Sequence, residues 1–340
     1  MTGSIGWGLA GVLIAGILNG SFVVPMKWMR AWQWENTWLL YSVVGLLIVP
    51  LALAFATVPR LPALMALASS ATLIKVLLFG FGWGIGSVLF GLGVTRLGLA
   101  LGYGVILGLV ATVGSLLPLV LLHPDHIWTQ EGLMLFAGML LVIIGIIFCA
   151  LAGRNRERET SSPRREKKHS RFFGGLLICI LAGIFSAMLN LAFTFGAAMQ
   201  KEALSAGVRP GAAANGLWAL TLTAGFLANG GYCVYLLQKN RSWHLYSRGA
   251  ARATYWFGGS LMGIVCFASF IVYGLGATSL GPLGGVVGWP LLMAMSLITA
   301  NAWGLLTGEW KGASRSSHAY LLAGVAVLIC AIAVISLGNR

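Results

Sequence analysis

Charge is scarce in this chain. Of its 340 residues only 9% are Asp, Glu, Lys or Arg, while 58% are apolar. A soluble domain carries roughly 25% charged residues. Lipid must therefore solvate most of this protein. Acids are the rarest charge, eight in all, and none falls mid-way along an apolar run. A charge at mid-membrane costs about 2.5–3.5 kcal/mol on insertion and marks an ion or proton site. Any proton carrier here has to sit near the end of a span. Polar sequence of any length is confined to residues 153–172. The five cysteines, Cys149, Cys179, Cys233, Cys266 and Cys330, have no metal or redox spacing. Each lies in an apolar run, which reads as a small buried side chain. A Walker lysine and a nucleophile–base constellation are also missing. No cofactor is implied, and an enzyme has no support in these residues.

What is present is apolar sequence in lengths that cross a bilayer. A spanning helix needs about 20 such residues. Ten runs qualify, at about 5–25, 35–56, 72–94, 97–122, 132–152, 173–198, 211–237, 252–274, 280–306 and 318–338. Backbone in hydrocarbon must bond within itself, and barrel-strand alternation is absent. The expected fold is an all-α polytopic membrane protein of ten transmembrane helices. The N-terminal "MTGSIGWGLAG" lacks a basic n-region, so the first span is expected to be retained.

The formal charge of +14 is a topology signal rather than a nucleic-acid footprint. Basic residues concentrate in cytoplasmic loops. If both termini face out, only Arg60, Lys75, Lys201, Arg209 and Arg340 lie outside, five of the 22 Lys and Arg. The rest fall inside, eight of them in the segment from Arg154 to Arg171. Both termini are therefore expected to be periplasmic. Residues 153–172 are expected to form a solvated cytoplasmic linker attracted to anionic lipid.

Glycines cluster in "FGLGVTRLGLALGYGVILG" at 90–108. A dinucleotide fingerprint fails there, because Arg96 stands where the third glycine belongs. A twin explains the stretch better. Gly91-Leu-Gly-Val-Thr-Arg-Leu-Gly98 matches Gly274-Leu-Gly-Ala-Thr-Ser-Leu-Gly281 at six of eight positions, and Ala15-Gly-Ile17 echoes Ala182-Gly-Ile184. Each half then holds five spans, 1–152 and 173–340. Five is odd, so the second half enters the membrane from the opposite side, as inverted-topology repeats do in secondary transporters. The glycines serve close helix packing, as at Gly98 and Gly102, or slack beside a bound molecule.

Most aromatics near span ends, Trp28, Trp32, Trp34, Trp38, Trp128, Trp243, Trp310 and Tyr320, read as interfacial anchors. Deeper polar and aromatic residues are candidates for binding: Asn19, Ser21, Trp83, Ser87, Tyr103, Ser186, Asn190, Trp218, Thr221, Ser260 and Trp289. Asn and Ser supply neutral donors and acceptors, and Trp adds an apolar platform with one N–H. No Lys or Arg lies deep in a span. That set suits a small neutral sugar and suits phosphate or carboxylate poorly. Each residue could equally make an interhelical hydrogen bond. For proton coupling the candidates are Glu202, after the sixth span, and Glu35, opening the second. Both also read as solvated helix-end acids. "HPDHIW", with His123, Asp125 and His126, is a weak metal pattern; a plain turn is the simpler reading.

These residues resemble the L-rhamnose–proton symporter family of the drug/metabolite transporter superfamily, nearly end to end. The likeness rests on "WQWENTW" at 32–38, "FGFGWGIGSVLFGLGVTRLGLALGYGV" at 79–105, "AGIFSA" at 182–187, "MQKEALSAGV" at 199–208 and "GEW" at 308–310. It implies ten spans, a bacterial inner-membrane location and proton-linked sugar uptake, with H+ and sugar as partners. It also implies motif carboxylates at Glu35, Glu131, Glu202 and Glu309. One departure stands out. The family pattern carries an Asp shortly before a ninth-span Trp; here the Trp matches Trp289, and Gly285 falls near the Asp position. A different sugar, an uncoupled facilitator or a metabolite exporter remain alternatives. The expected cavity is lined by spans one, three, four, six, eight and nine.

Overall fold

The structure, a computed structural model, describes residues 2–97, 99–160, 170–247 and 253–338. Among them there is helix and no strand. Ten helical segments of 19–33 residues are long and apolar enough to cross a membrane. In order they are α1 (Thr2–Ser21), the broken pair α2 (Trp34–Ser42) and α3 (Val49–Thr57), then α5 (Ser70–Leu97), α6 (Leu99–Leu122) and α7 (Gln130–Thr160). The second half holds α8 (Ser170–Phe195), α10 (Asn215–Lys239), α11 (Ala253–Ser279), α12 (Gly284–Leu306) and α13 (Arg315–Gly338). Two short helices, α4 (Leu61–Leu67) and α9 (Ala197–Ser205), lie between spans.

Several boundaries depart from expectation for identifiable reasons. The second span is not one uniform helix. Pro50 has no N–H to give the α-ladder, and a π turn over Val43–Ile48 takes up the mismatch just before it. The sixth span stops at Phe195 and resumes as α9 after Gly196. α7 continues to Thr160, because the Arg and Glu that open the polar linker are good helix formers. α5 runs to Leu97 and α6 begins at Leu99, so both spans extend into the expected connection. Its twin is longer: α11 and α12 are joined by residues 280–283, with Gly281 at φ +85°. Gly98, residues 161–169, Arg248, Arg252 and Arg340 lie outside the described residues.

The spans alternate in direction, so the bundle has two ends. Lys27, Glu35, Asn240 and Glu309 share one end; Thr57, Lys75, Lys201 and Asn215 share the other. α5 lies along α8 and α10, α11 lies along α1 and the broken span, and α7 pairs with α13. Lipid gives helices little hydrophobic reason to associate, so close approach and hydrogen bonds hold them. A Cβ on Gly263 would lie 2.7 Å from the backbone nitrogen of Gly45, so α11 and the π turn meet backbone to backbone. Nearby, Trp38 Nε1 donates to Asn229 Oδ1 at 3.2 Å and Asn229 Nδ2 to Ser42 Oγ at 3.3 Å. Such interhelical bonds contribute about 0.6 kcal/mol each in membranes. Large apolar side chains such as Phe55, Leu78, Leu140, Phe257 and Leu322 face outward, as a lipid-facing surface requires.

The aromatic anchors divide. Trp28, Trp34, Trp128, Trp243 and Tyr320 are exposed. Trp32 and Trp310 are buried and Trp38 is half-buried. Trp32 turns inward because its N–H finds Leu245 O at 3.1 Å and its ring meets Tyr246, Tyr255 and Trp256 edge-on. Four cysteines are buried; Cys330 is exposed on α13, contrary to expectation. Its neighbours on that face of an outer helix are lipid-facing Leu322 and Ile329.

Candidate functional site

A central cavity of about 270 Å³ opens among α1, α2, α5, α6, α8, α11 and α12. Five of the predicted binding residues line it: Asn19, Trp83, Ser87, Ser186 and Trp289. α5 places Trp83 and Ser87 four residues apart, hence on one helical face. The walls between them are aromatic, from Trp38, Tyr41, Phe90 and Phe270.

The polar groups differ in what they can offer. Trp289 Nε1 is spent on Val110 O at 2.9 Å, so it contributes a ring wall. Asn19 Nδ2 donates to Ser296 Oγ at 3.1 Å, and Ser296 passes its own proton to Leu292 O. That leaves the Asn19 carbonyl oxygen as an acceptor. Trp83, Ser87 and Ser186 spend no side-chain polar atom on the protein among the described residues. One indole N–H, two hydroxyls and one amide carbonyl therefore remain for a ligand. All are neutral, and among the described residues no carboxylate, Lys or Arg lines the cavity.

The remaining predicted residues fall elsewhere. Ser21 accepts from Trp303 Nε1 at 2.8 Å and donates to Ile17 O at 2.7 Å. Asn190 is fully committed between helices: Nδ2 donates to Gly114 O and Gly285 O, both at 2.8 Å, and Oδ1 accepts from Tyr273 at 2.6 Å. Thr221 is buried against Gly80 of α5. Ser260 is half-buried and lines neither this cavity nor those described below. The Tyr103 side chain lies outside the described residues. The sequence reading left the second span out of the cavity wall, where Trp38 and Tyr41 stand. Trp38 looked like an end anchor, but α2 begins at Trp34 and places Trp38 one turn inside, stacked on Trp34 and tilted on Tyr41.

Trp218 lines a second cavity of about 710 Å³ at the Lys201 end of the bundle. A layer of stacked aromatic rings separates the two spaces. Phe270 of the central wall stacks on Trp218 of the second, with centroids 5.7 Å apart. Tyr273 meets Trp289 edge-on beside it. A third cavity of about 360 Å³ shares Val23, Leu297 and Ala300 with the central one and leads toward the Glu309 end. At its rim Lys27 Nζ pairs with Glu309 Oε1 at 2.5 Å. Arg156 reaches Glu309 Oε2 at 3.4 Å and lies over the Trp310 ring at 4.9 Å.

Neither candidate proton carrier lines any of these three cavities. Glu35 is buried, and its Oε1 accepts from Asn240 Nδ2 at 2.9 Å and Ser242 Oγ at 2.8 Å. Glu202 lies on α9 at the opposite end, with Oε2 buried and without a hydrogen-bond partner. His123 lines the second cavity; burial first, then the neighbouring His126, lowers its pKa. His126 Nδ1 in turn lies 3.2 Å from Glu131 Oε2. At Gly285 an added Cβ would clash with Thr194 Cγ2 and would only touch the Phe193 ring. The Gly285 carbonyl is held by Asn190 and Tyr273.

Comparison with known proteins agrees with this architecture. The chain is 29% identical over 349 residues to the L-rhamnose-proton symporter of Klebsiella pneumoniae, covering 99% of both chains. It is 28% identical over 344 residues to those of Citrobacter koseri and Salmonella enteritidis, again covering 99% of each. The family model described as L-rhamnose-proton symport protein (RhaT) matches residues 1–340. The chain belongs to the RhaT family of L-rhamnose-proton symport proteins.

Proposed function

We propose that this multi-pass bacterial inner-membrane protein is a secondary transporter that takes up a small neutral sugar, L-rhamnose or a close relative, together with a proton. It is not an enzyme. The observation that carries the reading is the central cavity, whose free polar atoms are all uncharged and set between aromatic walls. Apolar walls with a few convergent polar groups are what a small-molecule site needs. We assign substrate contacts to Asn19, Trp83, Ser87 and Ser186, with Trp289 as a wall.

We infer further that residues 1–152 and 173–340 are inverted repeats, with periplasmic termini and a cytoplasmic linker at 153–172. Three relationships support this. Packing is unchanged when the halves are exchanged: α5 against α8 and α10 answers to α11 against α1 and the broken span. Gly183 lies against Ile106 O and the Leu109 side chain of α6, as Gly16 lies against Leu292 O and Met295 of α12. Gln33 and Glu35 recur as Gln200 and Glu202 at the 167-residue offset of the Ala-Gly-Ile echo. The two carboxylates then occupy equivalent places at opposite faces. Each is carried on an element that meets the other half. Glu35 bonds to residues flanking Arg241, and α9, which carries Glu202, packs on α4, which follows Arg60; among the described residues these two arginines are the non-glycine residues with left-handed φ, 53° and 51°. We assign proton coupling to Glu35 and Glu202, and alternating access to rocking of the halves about the aromatic layer.

An uncoupled facilitator is the second reading, favoured by the absence, among the described residues, of a carboxylate in the central cavity. Uptake into proteoliposomes, with a panel of neutral sugars and an imposed pH gradient, decides. Accumulation of one sugar against its gradient only when the outside is acidic is expected. Uptake that equilibrates but ignores the pH gradient selects the facilitator, and no uptake of any sugar rejects both.

A further inference from the structure

We propose that the second cavity is a separate binding site for a neutral sugar, in series with the central one and resting on the transport reading above. The starting observation is Trp218. It is 1% exposed and its Nε1 has no hydrogen-bond acceptor. A buried donor left unpaired costs about 1–3 kcal/mol, so such a group calls for an acceptor that arrives from elsewhere.

The surroundings say where the acceptor must come from. Phe193 stacks on one side of the indole, with centroids 5.3 Å apart and planes 14° apart, and Phe270 stacks at 5.7 Å and 23°. With the faces covered, the edge is what remains. That edge is turned to α11 at Gly274, where an added Cβ would lie 3.0 Å from Nε1. Gly274 and Trp218 both line the cavity. In this conformation Nε1 is sealed from the cavity with only Gly274 beside it, so a small shift of α11 at this glycine would admit an oxygen to the N–H. Its twin in the first half, Gly91, meets nothing within 4 Å, so close packing is not what the two positions share.

The other polar groups at this floor complement an incoming hydroxyl. Thr194 Oγ1 donates to Asn190 O at 3.0 Å, and Thr278 Oγ1 to Gly274 O at 2.7 Å. Both hydroxyls have thereby placed their protons and present lone pairs to the cavity. Asn215 has used Nδ2 on Thr57 Oγ1 at 2.8 Å, which leaves its carbonyl oxygen. Gln200, buried, adds an amide with both functions. The indole N–H, the amides of Gln200 and Asn215 and the hydroxyl lone pairs together match a molecule with many O–H groups and at least one oxygen to receive the indole proton. A carboxylate or phosphate would face these lone pairs unfavourably. The lining cations, Lys75 and Lys201, are exposed at the rim, with Lys75 5.9 Å from the Phe195 ring centroid.

The volume, about 710 Å³, falls in the range of small-molecule sites, roughly 300–1,000 Å³. The Trp218–Phe270 stack is the shared wall, so a sugar leaving this site for the central one must displace that pair. Occupied, the site holds cargo at the closed layer; it also reports its occupancy through the indole.

The test is sugar binding to the full chain in nanodiscs, by equilibrium dialysis with radiolabelled L-rhamnose, with tryptophan fluorescence in parallel. Two sugars per chain are expected for the wild type. Trp218→Phe keeps the ring and removes the N–H; it should remove one sugar, or weaken it about tenfold, and leave the second unchanged. Ser87→Phe, which fills the central cavity, should leave the Trp218 sugar and its fluorescence response in place. One sugar per chain with Trp218→Phe indifferent overturns the second site while leaving the transport reading intact. Salt-sensitive binding of L-rhamnonate in preference to L-rhamnose overturns its neutral character. No binding of L-rhamnose or any other monosaccharide by wild type overturns both readings.

Discussion

Tyr273 donates its hydroxyl proton to Asn190 Oδ1 at 2.6 Å, and Asn190 in turn donates to the carbonyls of Gly114 and Gly285. One amide thus joins α8 to α6, α11 and α12 at the layer between the two large cavities. Tyr273→Phe removes only the hydroxyl and leaves the buried Asn190 oxygen unpaired, a cost of about 1–3 kcal/mol. The expected outcome is a lower midpoint of thermal unfolding in detergent with the helical content retained. An unchanged midpoint would show that the layer relaxes around the missing bond.

The central cavity makes a different prediction. Ser87 and Ser186 make no side-chain hydrogen bond to the protein among the described residues, so replacing either by Ala removes a ligand contact without orphaning a protein group. A hydrogen bond contributes about 0.5–1.5 kcal/mol net, so each substitution should raise the sugar KM by about two- to tenfold at unchanged expression. Uptake kinetics in cells check this. A KM equal to wild type for both would move the binding site elsewhere.

The spans were legible in the sequence because lipid imposes one requirement, an apolar run of sufficient length, and every run met it. Their interruptions were less legible. The second span was read as one uninterrupted run although it contains Pro50, because whether a helix breaks or absorbs a proline depends on the neighbour it crosses, here Gly263 of α11. Cavity-lining residues were legible where the wall followed from depth alone, as at Trp83 and Ser87. Asn190 had the same depth and chemistry as Asn19. Only packing separates them, because Gly114, Gly285 and Tyr273 converge on Asn190 from three other helices. Trp218 was found for its depth and not for its cavity, since no sequence pattern tells which ring faces neighbours will cover.

Glu35 and Glu202 separate coupling from transport. Glu35→Gln can keep the hydrogen bonds from Asn240 and Ser242 through its amide oxygen while losing the titratable proton. If these carboxylates couple, Glu35→Gln and Glu202→Gln each abolish accumulation driven by a pH gradient but preserve sugar counterflow, which needs no net proton movement. Loss of both activities would assign the residue to folding or gating, and retention of gradient-driven accumulation would exclude it as a carrier.

Glu159 gives the chain a pH-sensitive joint outside the membrane. Its Oε2 accepts from the backbone N–H of Ser314 at 2.8 Å, and Ser317 Oγ donates to both carboxylate oxygens at 3.1 Å. These bonds tie the tail of α7 to the head of α13, where a negative charge also suits the helix N-terminus. The hydrogen bonds from Ser314, then that from Ser317, with His318 adding a smaller effect, hold the carboxyl below the usual carboxylate range. A lowered pKa in the folded chain means that the ionised form is the one stabilised. The contribution is complete above the unfolded pKa and disappears as pH falls through the folded one. Hydrogen–deuterium exchange over residues 314–320 should therefore be slow at about pH 7 and lose protection on acidification below about pH 4, the ordinary carboxylate range, after correction for the intrinsic exchange rate. Glu159→Gln should remove most of that protection at neutral pH and flatten its pH dependence. Equal protection in wild type and variant across the range would show that the joint is held by α7–α13 packing alone.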